Sequence, residues 1–435
     1  MIFEILTTSL MGGIALKAYV KKRGLATNDS GKIQRIISLS GLNVKDGKDT
    51  LTTQLIQKKQ YNWGWEYKYR IPLGRSFEEY VSKKSILEDG LNNRRKRISL
   101  DDLKALQIDS NVIDNIKQLW KKKVAEKKEL ELSFDGLLSL RVYNEPLPTE
   151  VQFHPADSWK IPVGITREKN AFKYHDFEKI SHMILGGATR YGKSNFINSM
   201  ITSLLYSKPD QVKFFLVDLK GGVELCDYEN IKQTVSIAYE PEEALQTLQL
   251  AYEQMRSIQT KMRALGKKNV QEANIKERYF IIIDEVGELN PTEAVTSAEK
   301  KLKQECQTLM SQIARLGAGL GFRQILATQY PTGDVIPRQC KQNSDAKISF
   351  RVQSATASRV ILDETGAENL PQIKGRAIYQ TADKREILQT PLITSKIIKC
   401  SILPHVIDKG VQNESNEEET INESRGTNLI TFERV

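Results

Sequence analysis

Short, uninterrupted apolar runs alternate with longer amphipathic stretches in the second half of the chain. Residues 183–185, 212–217 and 279–283 are mostly apolar, which is typical of parallel strands buried on both faces. Between such runs, apolar residues recur at intervals of three and four, which predicts helices with one buried stripe. The longest series consists of Ala244, Leu248, Ala251, Met255, Ile258, Met262 and Leu265. Strands that alternate with helices predict an α/β fold with a largely parallel, doubly wound sheet.

Two later segments extend this predicted sheet. Residues 325–327 form another apolar run, which ends at Thr328 and Gln329. Ile348, Phe350 and Val352 alternate with polar residues, and this pattern predicts a strand that lies nearer the edge of the sheet.

The pattern changes ahead of this region, so the chain divides into segments. Residues 25–145 contain an alternating aromatic stretch at 61–69, which predicts a strand, and a helical pattern at 77–91. We expect a small, basic α+β accessory domain there. Residues 146–405 hold the alternating strands and helices. Residues 406–435 are rich in Glu, Asn, Ser and Thr, which predicts a disordered acidic tail.

Residues 1–24 are the candidate segment for contact with a membrane. Residues 5–16 are uncharged, but this run is too short for a standard transmembrane helix, which needs about 20 residues. The Lys-Lys-Arg sequence at 21–23 would suit the cytoplasmic flank of an anchor. Two interpretations stay open. One is a short anchor or interfacial helix at the inner face of the cell membrane, and the other is the first helix of a soluble cytoplasmic domain.

Charge narrows the class of partner. The 435 residues include 64 Lys and Arg against 54 Asp and Glu, a net charge of +10, with 27 against 19 in residues 1–150. Such an excess favours a polyanion, either nucleic acid or an anionic membrane surface. The basic runs at 94–97 and 121–128 carry much of it, although such runs are also common on solvated faces. The four Cys and four His are scattered, so we predict no zinc site and expect reduced thiols.

A phosphate-binding loop follows the first of the apolar runs. The pattern G-x-x-x-x-G-K-[ST] is fitted by Gly187, Ala188, Thr189, Arg190, Tyr191, Gly192, Lys193 and Ser194. Glycines let backbone N–H groups approach phosphate oxygens, and the following helix adds free N–H donors. Lys193 would contact the β and γ phosphates of ATP, and the Ser194 hydroxyl would hold Mg²⁺. The alternative is a chance match within a glycine-rich turn.

An acidic pair, Asp284 and Glu285, ends the apolar run at 279–283. Open α/β sheets bind ligands at the carboxyl ends of their strands, which is where this pair lies. Asp284 would hold Mg²⁺ through water, and Glu285 would orient the water that attacks ATP. The alternative is a strand that ends in a solvated acidic turn, and the phosphate loop upstream argues against it.

From about residue 162 to residue 392 the chain resembles the FtsK/SpoIIIE family of DNA-pumping motors. The resemblance depends on a series of elements in order rather than on one motif. These elements are His182, 218–220, Leu225, Tyr228, 284–285, 326–331, 334–336, 358–363 and 366–368. The resemblance implies a RecA-like P-loop NTPase fold, assembly as a hexameric ring, and ATP-driven movement of double-stranded DNA through the pore.

Departures from the family pattern narrow this expectation. Asp218-Leu219-Lys220 stands where the family often has Asp-Pro-Lys, Ala318 replaces a basic residue, and no winged-helix signature or set of four membrane spans is found in the sequence. The compact layout is more similar to the coupling proteins of Gram-positive conjugative elements and plasmids. The expected function is therefore delivery of DNA to a conjugative transfer channel, with channel or relaxase proteins as partners. A chromosome-segregation pump and a membrane-tethered, nucleotide-gated DNA adapter are the alternatives.

The resemblance also implies roles for two residues outside these motifs. Gln329, at a strand tip, would sense the γ-phosphate, and the alternative is a polar strand cap. Arg359 matches an arginine that the family places at the subunit boundary, where it would reach the γ-phosphate of the neighbouring subunit. The alternative for Arg359 is an ion pair with Asp363 on the same helix face.

Candidate DNA contacts lie in two loops of the predicted motor. Binding that is independent of sequence uses Lys and Arg on DNA phosphates, and loops at one end of a sheet can face a common pore in a ring. The candidates are Lys267, Lys268, Arg338 and Lys341. The alternative is that all four are solvated surface charges.

Overall fold

The computed structural model describes residues 29–92, 128–167, 172–329, 331, 333 and 335–407. The candidate anchor at 1–24, the basic runs at 94–97 and 121–127, and residues 408–435 of the predicted tail lie outside the described residues. The described residues fall into two compact units, which lie within residues 1–148 with 167–171 and within residues 149–166 with 172–435. Among the helices that are described, none combines the length and the apolar content needed to cross a membrane.

The first unit has an α+β fold. Its strands are β1 (Val44–Asp46), β2 (Asp49–Leu51), β3 (Gln54–Tyr61), β4 (Gly64–Arg70), β5 (Glu129–Asp135) and β6 (Leu137–Tyr143), and its helices are α1 (Ser30–Leu39), α2 (Phe77–Ser82) and α3 (Lys84–Asn92). Strands β1 and β2 form a hairpin, and the other four form an antiparallel sheet in the order β3-β4-β6-β5. Tyr67 and Leu140 from this sheet share a core with Ile33 and Leu87 from the helices.

Two predictions for this unit are wrong in detail. Residues 61–69 are not one strand, because β3 ends at Tyr61, a turn follows, and β4 begins at Gly64. A Cβ on Gly64 would lie 2.0 Å from the carbonyl oxygen of Val142, so glycine is what lets β4 approach β6 there. The aromatic alternation runs through this turn and conceals it. The helix predicted at 77–91 is divided at Lys83 into α2 and α3.

The second unit is an α/β fold around a ten-stranded sheet. Its strands are β7 (Lys160–Thr166), β8 (Phe172–Asp176), β9 (Met183–Gly186), β10 (Val212–Val217), β11 (Thr234–Ala238), β12 (Arg278–Ile283), β13 (Phe322–Thr328), β14 (Ala346–Phe350), β15 (Arg376–Gln380) and β16 (Arg385–Gln389). The strand order is β11-β10-β12-β13-β9-β14-β15-β16-β7-β8. The six strands from β11 to β14 are parallel, and the remaining four pair antiparallel. The prediction of a largely parallel α/β sheet is confirmed.

Helices cover both faces of this sheet. They are α4 (Lys193–Ser207), α5 (Pro241–Ala264), α6 (Ser297–Leu316), α7 (Arg338–Asn343), α8 (Ala355–Leu362) and α9 (Ser395–Ile402). Short 3-10 turns lie at Cys226–Tyr228, Val286–Leu289, Pro291–Glu293, Ala318–Leu320, Ala367–Asn369 and Leu403–His405. Phe280 and Ile282 of β12 pack in the core layer of α4, whereas Ile281 and Ile283 pack in the layer of α5 and α6. This alternation shows that β12 is buried on both faces.

The apolar stripe predicted on the long helix is confirmed. Its residues from Ala244 to Met262 form the buried face of α5, and Leu265 lies just past the helix and is exposed. The prediction for β14 is wrong. This strand is sixth of ten, between β9 and β15, and Ile348 and Phe350 are fully buried. Strands β15, β16, β7 and β8 extend the sheet beyond β14, and the apolar pattern does not reveal them.

The parallel strands β9 to β14 all run in one direction, so their ends form two opposite sides of the sheet. We call these sides the carboxyl edge and the amino edge. At the carboxyl edge, where the strands end, lie residues 187–192, Asp284 and Gln329. At the amino edge, where the strands begin, lie Arg278 and Arg323. The phosphate loop and the acidic pair therefore share the carboxyl edge.

Candidate nucleotide-binding site

The phosphate loop connects β9 to α4 and is tied to the strands on either side of β9. The Gly187 N–H donates to the carbonyl of Thr328 at 3.3 Å, and the Ala188 N–H donates to the carbonyl of Arg351 at 2.9 Å. Gly187 has a φ of 157°, and a Cβ there would lie 2.6 Å from the Cβ of Phe350. Glycine at this position lets the loop pass close to the end of β14.

Lys193 is buried and lies against Asp284. Its Nζ donates to Asp284 Oδ1 at 2.8 Å and to the Asp284 carbonyl oxygen at 2.6 Å. The exposed fractions of the two side chains are 3% and 0%, so each charge depends on the other for compensation. The fold thus brings the lysine of the loop into contact with the first residue of the acidic pair.

The second carboxylate oxygen of Asp284, Oδ2, is buried and has no hydrogen-bond partner among the described atoms. Buried acceptors are nearly always satisfied, so this oxygen suits a further donor such as a Mg²⁺-bound water. Ser194 lines the cavity that Lys193 also lines, and its hydroxyl is the other oxygen expected to hold Mg²⁺. In the described part of the chain, no cluster of three or more His, Cys, Asp or Glu residues could hold a metal. The residues present that fit Mg²⁺ are Ser194 and Asp284.

A cavity of about 460 Å³ opens at the phosphate loop. The predicted residues that line it are Ala188, Thr189, Arg190, Gly192, Lys193, Ser194 and Gln329. The rest of its wall comes from residues that sequence analysis does not single out, namely 149–150, Asn195, Glu224, 374–375 and 389–392. Tyr191 does not line the cavity, but its carbonyl accepts the Gly375 N–H at 2.9 Å and so joins the loop to this wall. Neither Asp284 nor Glu285 is among the described residues that line the cavity.

Gln329 lies between the phosphate loop and the acidic pair, because β13 separates β9 from β12 in the sheet. Its side-chain Oε1 accepts a hydrogen bond from Thr189 Oγ1 at 2.9 Å, and its N–H donates to Glu285 Oε2 at 2.9 Å. Lys220 Nζ lies 3.9 Å from the same Glu285 oxygen. Three of the four predicted catalytic residues, Asp284, Glu285 and Gln329, are therefore brought together with the loop.

Arg359, the fourth predicted catalytic residue, is not among the described residues that line the cavity. It is exposed on α8, and no described acidic side chain forms an ion pair with it. The alternative pair with Asp363 is not formed, because that carboxylate accepts from Lys341 at 2.7 Å and from Lys347. Burial raises the pKa of Asp363, but hydrogen bonds from the two lysines outweigh it and lower the pKa below its usual range.

The four candidate DNA contacts differ in exposure. Lys267, Lys268 and Arg338 are exposed, whereas Lys341 is half-buried and engaged by Asp363. Lys267 and Lys268 follow α5 and precede β12, so they lie toward the amino edge, opposite the phosphate loop. The structure therefore leaves three of the four free to meet a DNA backbone.

A network of charged side chains lies at the amino edge, where Arg278 and Arg323 are buried and the side chain of Glu178 is 26% exposed. Glu178 Oε1 accepts from Arg278 Nε at 2.7 Å and from Arg323 Nη2 at 3.0 Å, and Oε2 accepts from Arg278 Nη2 at 3.0 Å and from Gln271 at 2.8 Å. Burial raises the pKa of Glu178, but hydrogen bonds from Arg278 and Gln271 and the charges of both arginines lower it to about 2. This carboxylate braces the starts of β12 and β13.

The segment of the chain that holds the site matches a known protein family. Residues 150–318, which include the phosphate loop and the acidic pair, match the FtsK/SpoIIIE family. Over that segment the chain is similar to an FtsK/SpoIIIE family domain. The resemblance expected from the sequence is thereby confirmed.

Individual relatives agree with this family. The chain is 31% identical over 265 residues to the DNA translocase FtsK of Chlorobaculum tepidum, which covers 56% of this chain and 32% of that protein. It is 36% identical over 200 residues to the DNA translocase FtsK of Caldanaerobacter subterraneus, and this match covers 45% of this chain and 27% of that protein. The chain thus spans about a third of the length of the curated relatives it matches.

Among solved structures, the pCW3 conjugation coupling protein TcpA, in its monomer form with ATPgS, is similar with a TM-score of 0.59. The similarity covers 86% of this chain and 98% of that one at 20% identity. Similarity at that identity shows that the two proteins share a fold.

Proposed function

We propose that the protein is an ATP hydrolase that moves double-stranded DNA, and that it serves as a coupling protein delivering DNA to a conjugative transfer channel. The observation that carries the proposal is the contact of Lys193 with Asp284, beside Glu285 and Gln329, within an FtsK/SpoIIIE family domain. The curated relatives are named DNA translocases, and the fold shared with TcpA extends over most of the chain. Both likenesses support the proposal.

In this proposal the triphosphate of ATP binds in the loop of residues 187–194. Lys193 contacts the β and γ phosphates, and backbone N–H groups at the start of α4 bind phosphate oxygens. Ser194 and, through water, Asp284 would hold Mg²⁺, which when bound neutralises charge on the phosphates. Glu285 orients the attacking water, and Gln329 senses the γ-phosphate through its bond to the loop.

Movement of DNA requires that each site act together with its neighbours. Lys267, Lys268 and Arg338 would contact DNA phosphates, and the exposed Arg359 would reach the γ-phosphate of the next subunit in a hexameric ring. Residues 1–24 would hold the ring at the inner face of the cell membrane, where channel or relaxase proteins become its partners.

Two other functions would use the same site. A chromosome-segregation pump would share the motor, and it too would be a DNA translocase, which is what the curated relatives are named. A nucleotide-gated adapter would bind DNA without moving it, but the acidic pair beside the loop favours turnover of ATP. The segregation pump differs from a coupling protein in which DNA it moves, and the adapter differs in that it moves no DNA.

The proposal is tested by ATP hydrolysis with and without duplex DNA, together with displacement of a triplex-forming strand from that duplex. We expect DNA to raise the hydrolysis rate and ATP to drive displacement. Lys193→Ala should abolish both, because it removes the cation that meets the β and γ phosphates. DNA-stimulated hydrolysis without displacement would favour the adapter, and hydrolysis that survives Lys193→Ala would contradict the proposal. Loss of plasmid transfer, with normal chromosome segregation, in cells lacking the gene would separate a coupling protein from a segregation pump.

A further inference from the structure

The carboxylate of Glu285 is held outside the nucleotide cavity. Its Oε2 accepts the Gln329 N–H at 2.9 Å and lies 3.9 Å from Lys220 Nζ. Its Oε1 lies 3.1 Å from where a Cβ on Gly287 would be, so the lack of a side chain there leaves room for the carboxylate. Glu285 is 4% exposed and is not among the described residues that line the cavity. In this position the carboxylate is engaged by the Gln329 N–H and faces Lys220.

The loop after β10 presents Lys220 to this carboxylate. The buried Asp218 closes the loop, because its Oδ1 accepts the Lys220 N–H at 3.3 Å and its Oδ2 accepts the N–H groups of Glu224 at 2.9 Å and Leu225 at 3.0 Å. Strands β10 and β12 are paired neighbours, so the ends of both strands lie side by side. Lys220 is therefore placed next to Glu285 by backbone geometry.

Gln329 links Glu285 to the phosphate loop. Its side chain accepts from Thr189, which lines the cavity, and its backbone N–H donates to Glu285. A phosphate that contacts the loop next to Thr189 would therefore act on the same residue that holds Glu285. The chain of contacts runs from Thr189 through Gln329 to Glu285 and includes Lys220.

We propose that Lys220 is a positioning residue that restrains hydrolysis by holding Glu285 out of the cavity until Thr189 and Gln329 shift with the phosphate loop. The inference rests on the proposed ATPase function. The lysine side chain is 37% exposed and its ammonium is 3.9 Å from the carboxylate, so the ion pair is weak. Pairs of this kind change an equilibrium by no more than about fivefold, which suits a restraint that must be released in every cycle.

The test is steady-state ATP hydrolysis by full-length Lys220→Met, with and without duplex DNA. We expect the rate without DNA to rise about three- to fivefold and the DNA-stimulated rate to stay within about twofold of wild type, with KM for ATP unchanged. Lys220→Arg, which keeps the charge, should restore the wild-type ratio of the two rates. The matched control is Lys213→Met on β10, whose ammonium donates to the Lys232 carbonyl and should change neither rate.

Equal rates in Lys220→Met and wild type, or an equal loss of both rates, would overturn the inference. If the wild-type protein hydrolysed no ATP, the proposed function would fail instead. The ion pair would then be tested by a double-mutant cycle of Lys220→Met and Glu285→Gln on the thermal unfolding midpoint. Non-additive changes in the unfolding midpoint would support an ion pair between Lys220 and Glu285, and additive changes would contradict it.

Discussion

The two edges of the parallel sheet both carry buried charges, but they use them differently. At the amino edge, each carboxylate oxygen of Glu178 receives two donors, mainly from Arg278 and Arg323. At the carboxyl edge, Asp284 Oδ1 is paired with Lys193, whereas Oδ2 has no partner among the described atoms. Both carboxylate oxygens of Glu178 are therefore hydrogen-bonded. One carboxylate oxygen of Asp284 is still able to accept a hydrogen bond, and it lies near the phosphate loop.

The difference shows that burial of charge alone does not identify a functional site. The pKa of Glu178, about 2, is strongly perturbed, yet the group is held by two arginines at the end of the sheet opposite the phosphate loop. Asp284 and Glu285 have fewer partners and lie next to a loop that can bind phosphate. An unsatisfied acceptor near a cavity is the more informative signal.

The largest expected effect concerns Arg359, which in a ring would act on the nucleotide site at the carboxyl edge of the neighbouring subunit. If Arg359 serves the neighbouring site, Arg359→Ala should lower hydrolysis by about 10³-fold in assembled rings, because it removes a cation from the transition state. Mixing Arg359→Ala with Lys193→Ala protein should restore part of the activity, since an intact loop can then face an intact arginine. ATP hydrolysis of the mixture measures this.

Crosslinking of the mixed rings is the control, because it shows that the two variants assemble together. Mixed rings that remain inactive would remove Arg359 from the catalytic residues. Arg351, whose carbonyl binds the phosphate loop, and Lys347 would be the next candidates.

A smaller effect concerns pH and the amino edge. His182 Nδ1 accepts the Gln324 N–H at 3.0 Å, and burial, with the nearby Arg323 charge, lowers the pKa of His182 to about 3. As pH falls below about 6.5, the unfolded chain binds a proton that the folded chain does not, so stability is lost between about pH 6.5 and pH 3. Between pH 7 and pH 5 this histidine should lower the free energy of unfolding by about 2 kcal/mol.

Urea unfolding at pH 7 and pH 5 measures that loss. His182→Asn keeps a hydrogen-bond acceptor for the Gln324 N–H. Between pH 7 and pH 5 its free energy of unfolding should fall by about 2 kcal/mol less than that of wild type. The exposed His154→Asn should behave like wild type. An unchanged pH dependence in His182→Asn would show that His182 does not titrate on unfolding as described.

The smallest effect concerns DNA. Lys267→Ala should lower affinity for duplex DNA about threefold, evenly across sequences, and should reduce the salt slope by about 1, because one phosphate contact is lost. Lys301→Ala is the matched control, since Lys301 is also exposed but lies near the start of α6, which follows the carboxyl end of β12. Binding titrations at several salt concentrations measure this. Equal behaviour of the two variants would mean that Lys267 is a solvated charge.

Local signals account for what the sequence could predict. Residues 187–194 and the pair Asp284 and Glu285 each follow an apolar strand, so strand, loop and chemistry are readable within a few residues. The parallel sheet follows from the same alternation. These features need no knowledge of which distant segments meet.

Long-range pairing accounts for what the sequence could not predict. Strand β15 pairs with β14, and β16 pairs with β7, more than 200 residues earlier, so four strands extend the sheet beyond β14. The far wall of the cavity, including Lys374 and Gln389, is brought to the loop by the same strands. The position of Lys220 beside Glu285 likewise depends on the register between β10 and β12. No periodicity within either segment carries that information.

The most direct test compares Glu285→Gln with Glu178→Gln, the same isosteric change at opposite edges. Glu285→Gln should keep ATP binding and lower single-turnover hydrolysis by about 100-fold or more, because the carboxylate that orients water is lost. Glu178→Gln should lower the free energy of unfolding by about 2 kcal/mol, because it leaves two buried arginines without their counter-ion, and should keep hydrolysis within about twofold. Wild-type hydrolysis by Glu285→Gln, or lost hydrolysis by a stably folded Glu178→Gln, would contradict the assignment of chemistry to the carboxyl edge.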